Sequence, residues 1–292
     1  MILNHTNKGD RLGRVGLMLV ALLWCHSMMA APGVGAPVIS IIIDDMGNRL
    51  GDGQRALALP GPVTYAFLPH TPHARRLANQ AHDLNKEVML HQPMDAHRGN
   101  RLGPGGLTLH MTEDKLKETL KSSLESVPHV AGLNNHMGSL LTRHPGAMNW
   151  LMQGMHEHGG LYFIDSRTSA VTVAEKTALD HGLPAASRDI FLDHERDPAA
   201  IRAQFQRLIA IAHRRGKAIG IGHPYPETMQ VLMQELARLG EYGVELIPVS
   251  HWINGKPNPP TLLAEPASPA MPVTPQLGAM TEAGREKTEV DL

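Results

Sequence analysis

Short apolar runs rich in β-branched residues alternate along the chain with stretches whose apolar residues recur at helical spacing. The first pattern predicts strands and the second predicts amphipathic helices. The predicted strands are 38–43, 63–68, 87–90, 130–133, 161–164, 189–192, 217–221 and 244–248, and the predicted helices are 52–59, 72–84, 112–126, 145–158, 170–181, 198–215 and 226–239. Such alternation is typical of a parallel sheet with crossover helices. We therefore predict an α/β fold, a single-domain (β/α) barrel of about seven strands over residues 37–253.

Residues 1–30 have the layout of a secretory signal peptide. Lys8, Arg11 and Arg14 precede an apolar run over 15–25, and small residues follow at positions 30 and 31. A bilayer span requires about 20 apolar residues, so this shorter run favours cleavage over a permanent anchor. We expect an exported, periplasmic protein, with an uncleaved membrane anchor as the alternative.

Residues 256–292 are rich in proline among small and polar residues and show no apolar periodicity. A segment of this composition cannot bury enough apolar surface to offset its chain entropy. We predict a disordered tail that serves as a spacer or docks an envelope protein partner.

Positive and negative charges are almost balanced, with 27 Lys and Arg against 28 Asp and Glu. This balance gives no support to a nucleic-acid-binding surface, which requires an excess of basic residues, and the sequence contains no nucleotide-binding fingerprint. We therefore expect neither nucleic acid nor a nucleotide as a partner. The count of 18 His is unusual, and imidazole is both a metal ligand and a proton carrier near neutral pH.

Polar side chains capable of chemistry follow most of the predicted strands. They are Asp44 and Asp45 after the first strand, His91 after the third, Asn134, Asn135 and His136 after the fourth, Asp165 after the fifth and His223 after the seventh. The carboxyl ends of parallel barrel strands converge on one face, where catalytic groups from several strands meet. The sequence therefore predicts one site at this face.

Two imidazoles and one carboxylate are a common ligand set of catalytic Zn²⁺. Asp45, His91 and His136 form the natural set, and we predict that they bind one divalent metal ion, most simply Zn²⁺. A second carboxylate beside such an ion can take a proton from water, which is the role predicted for Asp44. A histidine across the substrate can protonate the leaving group, and we assign this role to His223.

Asp44 and Asp45 are adjacent at the end of the first predicted strand, which constrains this arrangement. Successive side chains of a strand point to opposite faces, so both carboxylates reach one site only where the strand has ended. Met46 and Gly47 supply such an ending. We therefore expect the strand to stop at Asp45.

Six segments carry a specific resemblance: IIIDDMG, VMLHQPM, GLNNHMGS, YFIDSRTS, RDIFLD and AIGIGHPYPET, in this order. Together they resemble the divergent polysaccharide deacetylase family, an exported bacterial branch of the polysaccharide deacetylases, over about residues 38–253. The resemblance implies a distorted β/α barrel and metal-dependent hydrolysis of N- or O-acetyl groups on a glycan such as peptidoglycan. It also implies that Asp44 is the base, Asp45 a metal ligand and His223 the acid.

The third metal ligand departs from the pattern of the wider superfamily, which has His-x-x-x-His after the third strand. Here His91 is followed at the matching position by Asp95. Either Asp95 ligates the metal, or His136 on the next strand replaces it, and we favour His136 because imidazole suits zinc. The Arg-Pro-Pro-Tyr-like signature that helps to hold substrate in the superfamily is also missing.

Four further strand-end residues have two interpretations each. Asp165 orients His223 or another imidazole, or it caps the adjacent turn. Arg167 binds a carboxylate or phosphate on the ligand, or it pairs with a nearby aspartate. Asn135 and Ser139 place hydrogen-bond donors near a developing oxyanion, or they form the turn.

Two classes of function follow from this sequence. The first is a metal-dependent hydrolase of the bacterial envelope that deacetylates an N-acetylated or O-acetylated polysaccharide. The second is a non-catalytic periplasmic protein that binds a glycan or a metal and docks a partner through its tail.

Overall fold

A computed structural model describes residues 35–97, 99 and 101–254 of the protein. The predicted signal peptide and the predicted Pro-rich tail lie outside these residues. Within them, no helix combines the length and the hydropathy needed to cross a membrane.

The elements of the described chain follow the predicted alternation. The strands are β1 (Val38–Met46), β2 (Thr64–Phe67), β3 (Glu87–Met94), β4 (Val130–Met137), β5 (Tyr162–Asp165), β6 (Ala185–Ser187), β7 (Ile190–Phe191), β8 (Lys217–Gly222) and β9 (Glu245–Leu246). The helices are α1 (Leu50–Leu57), α2 (Ala74–Asp83), α3 (Glu113–Ser126), α4 (Pro145–His158), α5 (Ala174–Asp180), α6 (Pro198–Arg215), α7 (Pro226–Leu236), α8 (Leu239–Tyr242) and α9 (Val249–Asn254), and a 3-10 turn (Leu141–Arg143) precedes α4.

The strands form one curled parallel sheet in the order β6, β5, β4, β3, β2, β1, β8, β7, and β9 pairs with β1 beside this path. The sheet is a half-barrel with helices around it, and β6 and β7 are its two edges. The predicted α/β barrel fold is confirmed. Of the strands, β6 alone was absent from the predicted runs, because it has three residues and none of them is β-branched.

Alternate residues of β1 divide between the two faces of this sheet. Ile41 and Ile43 join the large apolar cluster beneath the helices, whereas Ile42 joins a second cluster. That second cluster fills the interior of the half-barrel and also contains Ala66, Met89, Tyr162, Ile164, Ala186, Ile219, Ile221 and Val249. Asp44 lies two residues beyond Ile42, so it points into the same interior at the carboxyl mouth.

Three long helices begin at residues that cap them. Thr112, His144 and Asp197 each accept a hydrogen bond from a backbone N–H in the first turn of α3, α4 and α6 respectively. Proline follows the cap in α4 and α6, at a position where its missing N–H costs no intrahelical hydrogen bond. These features explain why the predicted starts at 145 and 198 agree with the structure.

The amino-terminal end of the barrel is closed by α9, which the sequence did not predict. Glu87 at the start of β3 accepts hydrogen bonds from the Thr64 hydroxyl (3.0 Å) and the Tyr162 hydroxyl (2.8 Å). The backbone N–H of Ser250 in α9 donates to both oxygens of the same carboxylate, at 3.2 Å. Glu87 therefore ties α9 to three strands at the end opposite the predicted site.

Replacing Glu87 by Ala is expected to lower the free energy of unfolding by about 2–4 kcal/mol, since it leaves several buried donors without an acceptor. Urea denaturation monitored by circular dichroism measures this change. Glu125→Ala is the control because Glu125 is exposed on α3, and we expect it to leave the urea midpoint unchanged. Equal midpoints for the two variants would contradict the role given to Glu87.

Candidate active site

A β-bulge in β1 brings Asp44 and Asp45 into one site. The register of β1 against β2 shifts between Ile43 and Met46, and Asp45 has a left-handed backbone with a φ of 57°. A bulge places an additional residue in one strand and redirects its side chain. The expectation that β1 stops at Asp45 was therefore wrong, because the strand continues to Met46 and the bulge turns Asp45 inward.

Asp45, His91 and His136 come together at the carboxyl mouth and could hold a metal ion. Asp45 Oδ1 lies 3.3 Å from His91 Nε2 and 3.0 Å from His136 Nδ1, and the two imidazole nitrogens are 3.2 Å apart. The His91 side chain is 2% exposed, whereas those of His136 and Asp45 are 19% and 30% exposed. One fully buried candidate ligand and two partly exposed ones leave this metal-ligand cluster (Asp45, His91 and His136) open towards solvent.

The chemistry of these three atoms fits a tetrahedral metal. Bonds of about 2.0–2.1 Å at tetrahedral angles place ligand atoms about 3.3 Å apart, close to the observed separations. Asp45 Oδ1 is buried and has no hydrogen-bond partner within the described residues. Buried polar atoms normally have a partner, so this oxygen is suited to bind a cation. Two facing imidazole nitrogens can also share only one proton.

Asp95, the alternative third ligand, lies outside this cluster. Its Oδ2 accepts a hydrogen bond from the backbone N–H of Leu109 at 2.9 Å, and its backbone oxygen accepts from Leu140 and Leu141. The residue thus holds loop backbone together. The structure favours His136 over Asp95 as the third ligand.

Asn134 links the metal-ligand cluster to Asp44. Its Oδ1 lies 2.7 Å from His91 Nδ1, and its Nδ2 donates to Asp44 Oδ1 at 2.8 Å. Because an amide oxygen only accepts, Nδ1 of His91 carries a proton, which leaves Nε2 as the nitrogen that faces the cluster. The same amide holds Asp44 so that its Oδ2 faces His91 Nε2 at 3.6 Å.

The two adjacent aspartates have opposite pKa shifts. Burial raises the pKa of Asp44 above its ordinary value, although the nearby imidazoles act in the other direction. Burial also acts to raise the pKa of Asp45, but the imidazoles of His136 and His91, which face its carboxylate, outweigh it and hold that pKa well below its usual range. Asp45 is therefore suited to remain an ionised ligand, and Asp44 to accept a proton.

His223, at the carboxyl end of β8, is oriented by Asp193. Asp193 Oδ1 lies 2.9 Å from His223 Nδ1, while its Oδ2 accepts from the His223 backbone N–H and the Thr228 hydroxyl. His223 Nε2 then faces the metal-ligand cluster, 4.0 Å from Asp45 Oδ2. Burial lowers the pKa of His223, but the hydrogen bond and charge of Asp193, together with other carboxylates, raise it to about 9.

The role predicted for Asp165 needs correction. Its Oδ1 accepts from the Arg167 backbone N–H and its Oδ2 from the Thr172 hydroxyl, so it caps the turn after β5. In the sheet, β7 is the neighbour of β8, whereas β5 is separated from β8 by four strands. Asp193, which follows β7, therefore takes the place beside His223 that was predicted for Asp165.

Asp193→Asn is expected to shift the pKa of His223 from about 9 towards the ordinary value of about 6.5, because it removes the negative charge that stabilises the imidazolium. A pH titration of the imidazole nitrogens by NMR on the metal-free chain measures this. Asp165→Asn is the matched control and should leave the pKa of His223 unchanged. A fall in the control with none in Asp193→Asn would return the orienting role to Asp165.

The other predicted substrate-binding residues divide between turn formation and the surface. Asn135 is buried, accepts from the Ser166 backbone N–H and donates to the Met137 oxygen. Ser139 accepts a hydrogen bond from the backbone N–H of His97. These contacts agree with the interpretation of Asn135 and Ser139 as turn formers. Arg167 is exposed at the mouth with a φ of 49°, and its backbone oxygen accepts from Arg188.

The sequence suggested no individual role for three residues of this mouth. Asn134 and Asp193 each follow a predicted strand, so their position at the strand end was the signal that could have identified them. Arg188 is half-buried, with its guanidinium 3.7 Å from the centre of the Phe191 ring and its Nε donating to the Ser166 oxygen. Burial and the nearby Arg167 lower its pKa to about 10.

The fold and the site define an α/β half-barrel with a potential metal centre at its carboxyl mouth. Residues 41–253 match the family described as divergent polysaccharide deacetylase. The chain belongs to that family, as the resemblance of its motifs predicted.

Two relatives and one solved structure are similar over most of the chain. YibQ of Escherichia coli (strain K12) is 36% identical over 238 residues, which cover 82% of this chain and 73% of YibQ. A protein of Haemophilus influenzae is 34% identical over 223 residues, covering 76% of this chain and 79% of that protein. The crystal structure of ATU2773 from Agrobacterium tumefaciens C58 has a TM-score of 0.72 at 24% identity and covers 77% of this chain and 92% of its own. That structure shows the same fold.

Proposed function

We propose that the protein is a metal-dependent hydrolase of the bacterial envelope that removes N-acetyl, or alternatively O-acetyl, groups from a polysaccharide. The proposal rests on one observation: Asp44, the metal-ligand cluster and His223 lie around the same opening. Membership of the divergent polysaccharide deacetylase family supports an acetylated carbohydrate as the substrate. The proposed location in the envelope rests on the signal-peptide-like residues 1–30.

Asp45, His91 and His136 would hold the metal, which we propose to be Zn²⁺ because two imidazoles and one carboxylate suit this ion. A divalent cation bound there supplies a Lewis acid that polarises a carbonyl and acidifies water. Asn134 fixes the tautomer of His91 through Nδ1, so that Nε2 is the ligand atom.

Asp44 is the proposed general base. Asn134 donates to its Oδ1, and its Oδ2 accepts no hydrogen bond within the described residues. Oδ2 can therefore take a proton from the water that attacks the acetyl carbonyl. The raised pKa of Asp44 favours this transfer because it makes the carboxylate a stronger base.

His223 is the proposed general acid. Asp193 accepts from Nδ1, which directs Nε2 to the opening, and the raised pKa of His223 keeps this nitrogen protonated near neutral pH. When the C–N bond breaks, the proton on Nε2 passes to the leaving nitrogen. Water and an acetamido group are thereby converted into acetate and an amine.

Acetate release from a panel of acetylated glycans tests this proposal. The full chain is incubated with chitin oligosaccharides, peptidoglycan strands and an O-acetylated polysaccharide, and acetate and new amines are quantified together. An N-deacetylase releases one amine for each acetate, whereas O-deacetylation releases none. Stoichiometric metal binding without acetate from any glycan would contradict the hydrolase and favour a glycan- or metal-binding protein.

A further inference from the structure

We propose that a cavity beside the metal-ligand cluster binds an anionic group of the substrate, so that the polysaccharide is an acidic glycan carrying carboxylate or phosphate near the acetyl group. This inference rests on the proposed deacetylase function and adds the chemical class of its substrate. The cavity has a volume of about 380 Å³ and lies between the start of α1 and the loops that precede α6 and α7.

The cavity is continuous with the proposed reaction centre. Asp45, a proposed metal ligand, is part of its lining, and so is Tyr225. The Tyr225 ring stacks on the His223 ring with a centroid separation of 5.3 Å and an interplanar angle of 25°. A group bound in the cavity therefore lies beside both the metal ligands and the proposed acid.

Three arginines dominate the charge of this lining: Arg49, Arg55 and Arg196. The acidic residues of the lining are Asp45 and Asp52. Asp45 is directed at His91 and His136, which leaves Asp52 to offset three guanidinium groups. The cavity thus carries an excess of positive charge although the whole chain has a formal net charge of −1.

Local contacts orient the arginines. Arg55 hydrogen-bonds to Asp52, and Arg49 Nη1 lies 3.8 Å from the other oxygen of the same carboxylate. Arg196 stacks on Tyr225, with its guanidinium carbon 3.4 Å from the ring centre. Stacking uses the face of a guanidinium, whereas carboxylates and phosphates bind its N–H edge, so stacked Arg196 can still receive an anion.

A neutral sugar would form few favourable contacts with this lining. Guanidinium groups are suited to bidentate hydrogen bonds with carboxylate and phosphate oxygens, while uncharged sugar faces pack on aromatic rings. The chain has only 4 Tyr, 4 Phe and 3 Trp, and Tyr225 is the aromatic residue of the cavity lining. Concentrated cationic groups beside a single ring therefore favour a charged glycan.

Measurements of binding affinity test this inference without requiring the chain to hydrolyse the glycan. The full chain carrying Asp44→Asn is titrated by calorimetry with four probes: chitohexaose, peptide-free peptidoglycan strands, the same strands with amidated carboxylates, and a polymer of N-acetylhexosamine phosphate. We expect at least one acidic probe to bind about tenfold more tightly than chitohexaose, which corresponds to about 1.4 kcal/mol. The carboxylate and phosphate probes identify the source of the charge.

Charge removal supplies the matched comparison. Combining Arg49→Gln, Arg55→Gln and Arg196→Gln should abolish the preference for the acidic probe and leave chitohexaose binding unchanged. The control is Arg238→Gln, because Arg238 is 52% exposed and pairs with Glu241 three residues away, much as Arg55 is 54% exposed and pairs with Asp52. The control should retain the full preference.

The outcomes separate the two proposals. Equal affinity for acidic and neutral probes, an unaltered preference in the triple variant, or no binding of any glycan overturns the acidic-glycan inference. If the wild-type chain releases acetate from neutral and acidic glycans at equal rates, the deacetylase function stands and the inference fails. If the acidic preference is present but the wild-type chain releases no acetate, the inference stands and the deacetylase function fails.

Discussion

Asp44→Asn is expected to lower kcat/KM for acetate release by roughly 10²–10⁴-fold, the usual contribution of a positioned general base. The amide of the variant has the shape of the carboxylate but cannot accept the proton of water. Asp44 is 2% exposed and contributes no atom to the metal-ligand cluster, so the variant should keep its metal. Steady-state acetate assays combined with metal analysis of the same preparation measure both quantities.

Asp165→Asn is the control for this experiment. Asp165 is equally buried and also ends a barrel strand, but its carboxylate caps a turn. We expect its kcat/KM to remain within a few-fold of the wild-type value, with KM unchanged. Full activity in Asp44→Asn would remove the assignment of Asp44 as the base.

His136→Ala is expected to lower the metal affinity by more than about 100-fold. Removing a residue that only hydrogen-bonds to a metal ligand typically lowers it by about 10–100-fold, and His136 is proposed to be a ligand itself. His136 is the more exposed of the two clustered histidines, so its removal disturbs packing less than removal of His91 would. Metal content after dialysis against a weak chelator, measured by inductively coupled plasma mass spectrometry, should fall from one equivalent to a small fraction.

Asp95→Ala resolves the alternative that the sequence left open. The side chain of Asp95 accepts a backbone hydrogen bond from Leu109 and lies outside the cluster, so this variant should retain one equivalent of metal and show at most a modest loss of stability. Metal lost from Asp95→Ala and retained by His136→Ala would transfer the third ligand to Asp95.

Most of the fold could be predicted because local chemistry marks the elements. The helices α4 and α6 begin at a cap followed by proline, which is a signal in the sequence itself. In contrast, β6 and α9 have three and six residues, too few for a periodic pattern. Their conformation depends on pairing with β5 and on contacts with Glu87, which are distant in the chain.

The part of the candidate site that could be predicted is the set of residues at the carboxyl ends of the parallel strands. Asp44, His91 and His223 were placed together because each follows a strand of a parallel sheet, and parallel topology requires those ends to converge. The bulge that turns Asp45 inward has no sequence signature. Asp193 could not be assigned to His223 because their contact depends on which strands are neighbours, and β7 lies beside β8 only in the folded sheet.

The pairing of Asp193 with His223 also shows why strand-end position alone is insufficient. Asp165 and Asp193 both occupy strand ends and both are buried, and the sequence offers no feature that ranks one above the other. Sheet order decides between them, and that order emerges only from the packing of the whole barrel.

The proposed reaction depends on one metal ion held by Asp45, His91 and His136 at this opening. The most direct test is to strip the full chain with a chelator, add Zn²⁺ in increments and follow acetate release from the N-acetylated glycan that the wild-type chain hydrolyses fastest. We expect negligible release from the stripped chain and a linear rise that saturates at one equivalent of Zn²⁺. Unchanged release after stripping, or no release from any glycan at full metal loading, would contradict this proposal.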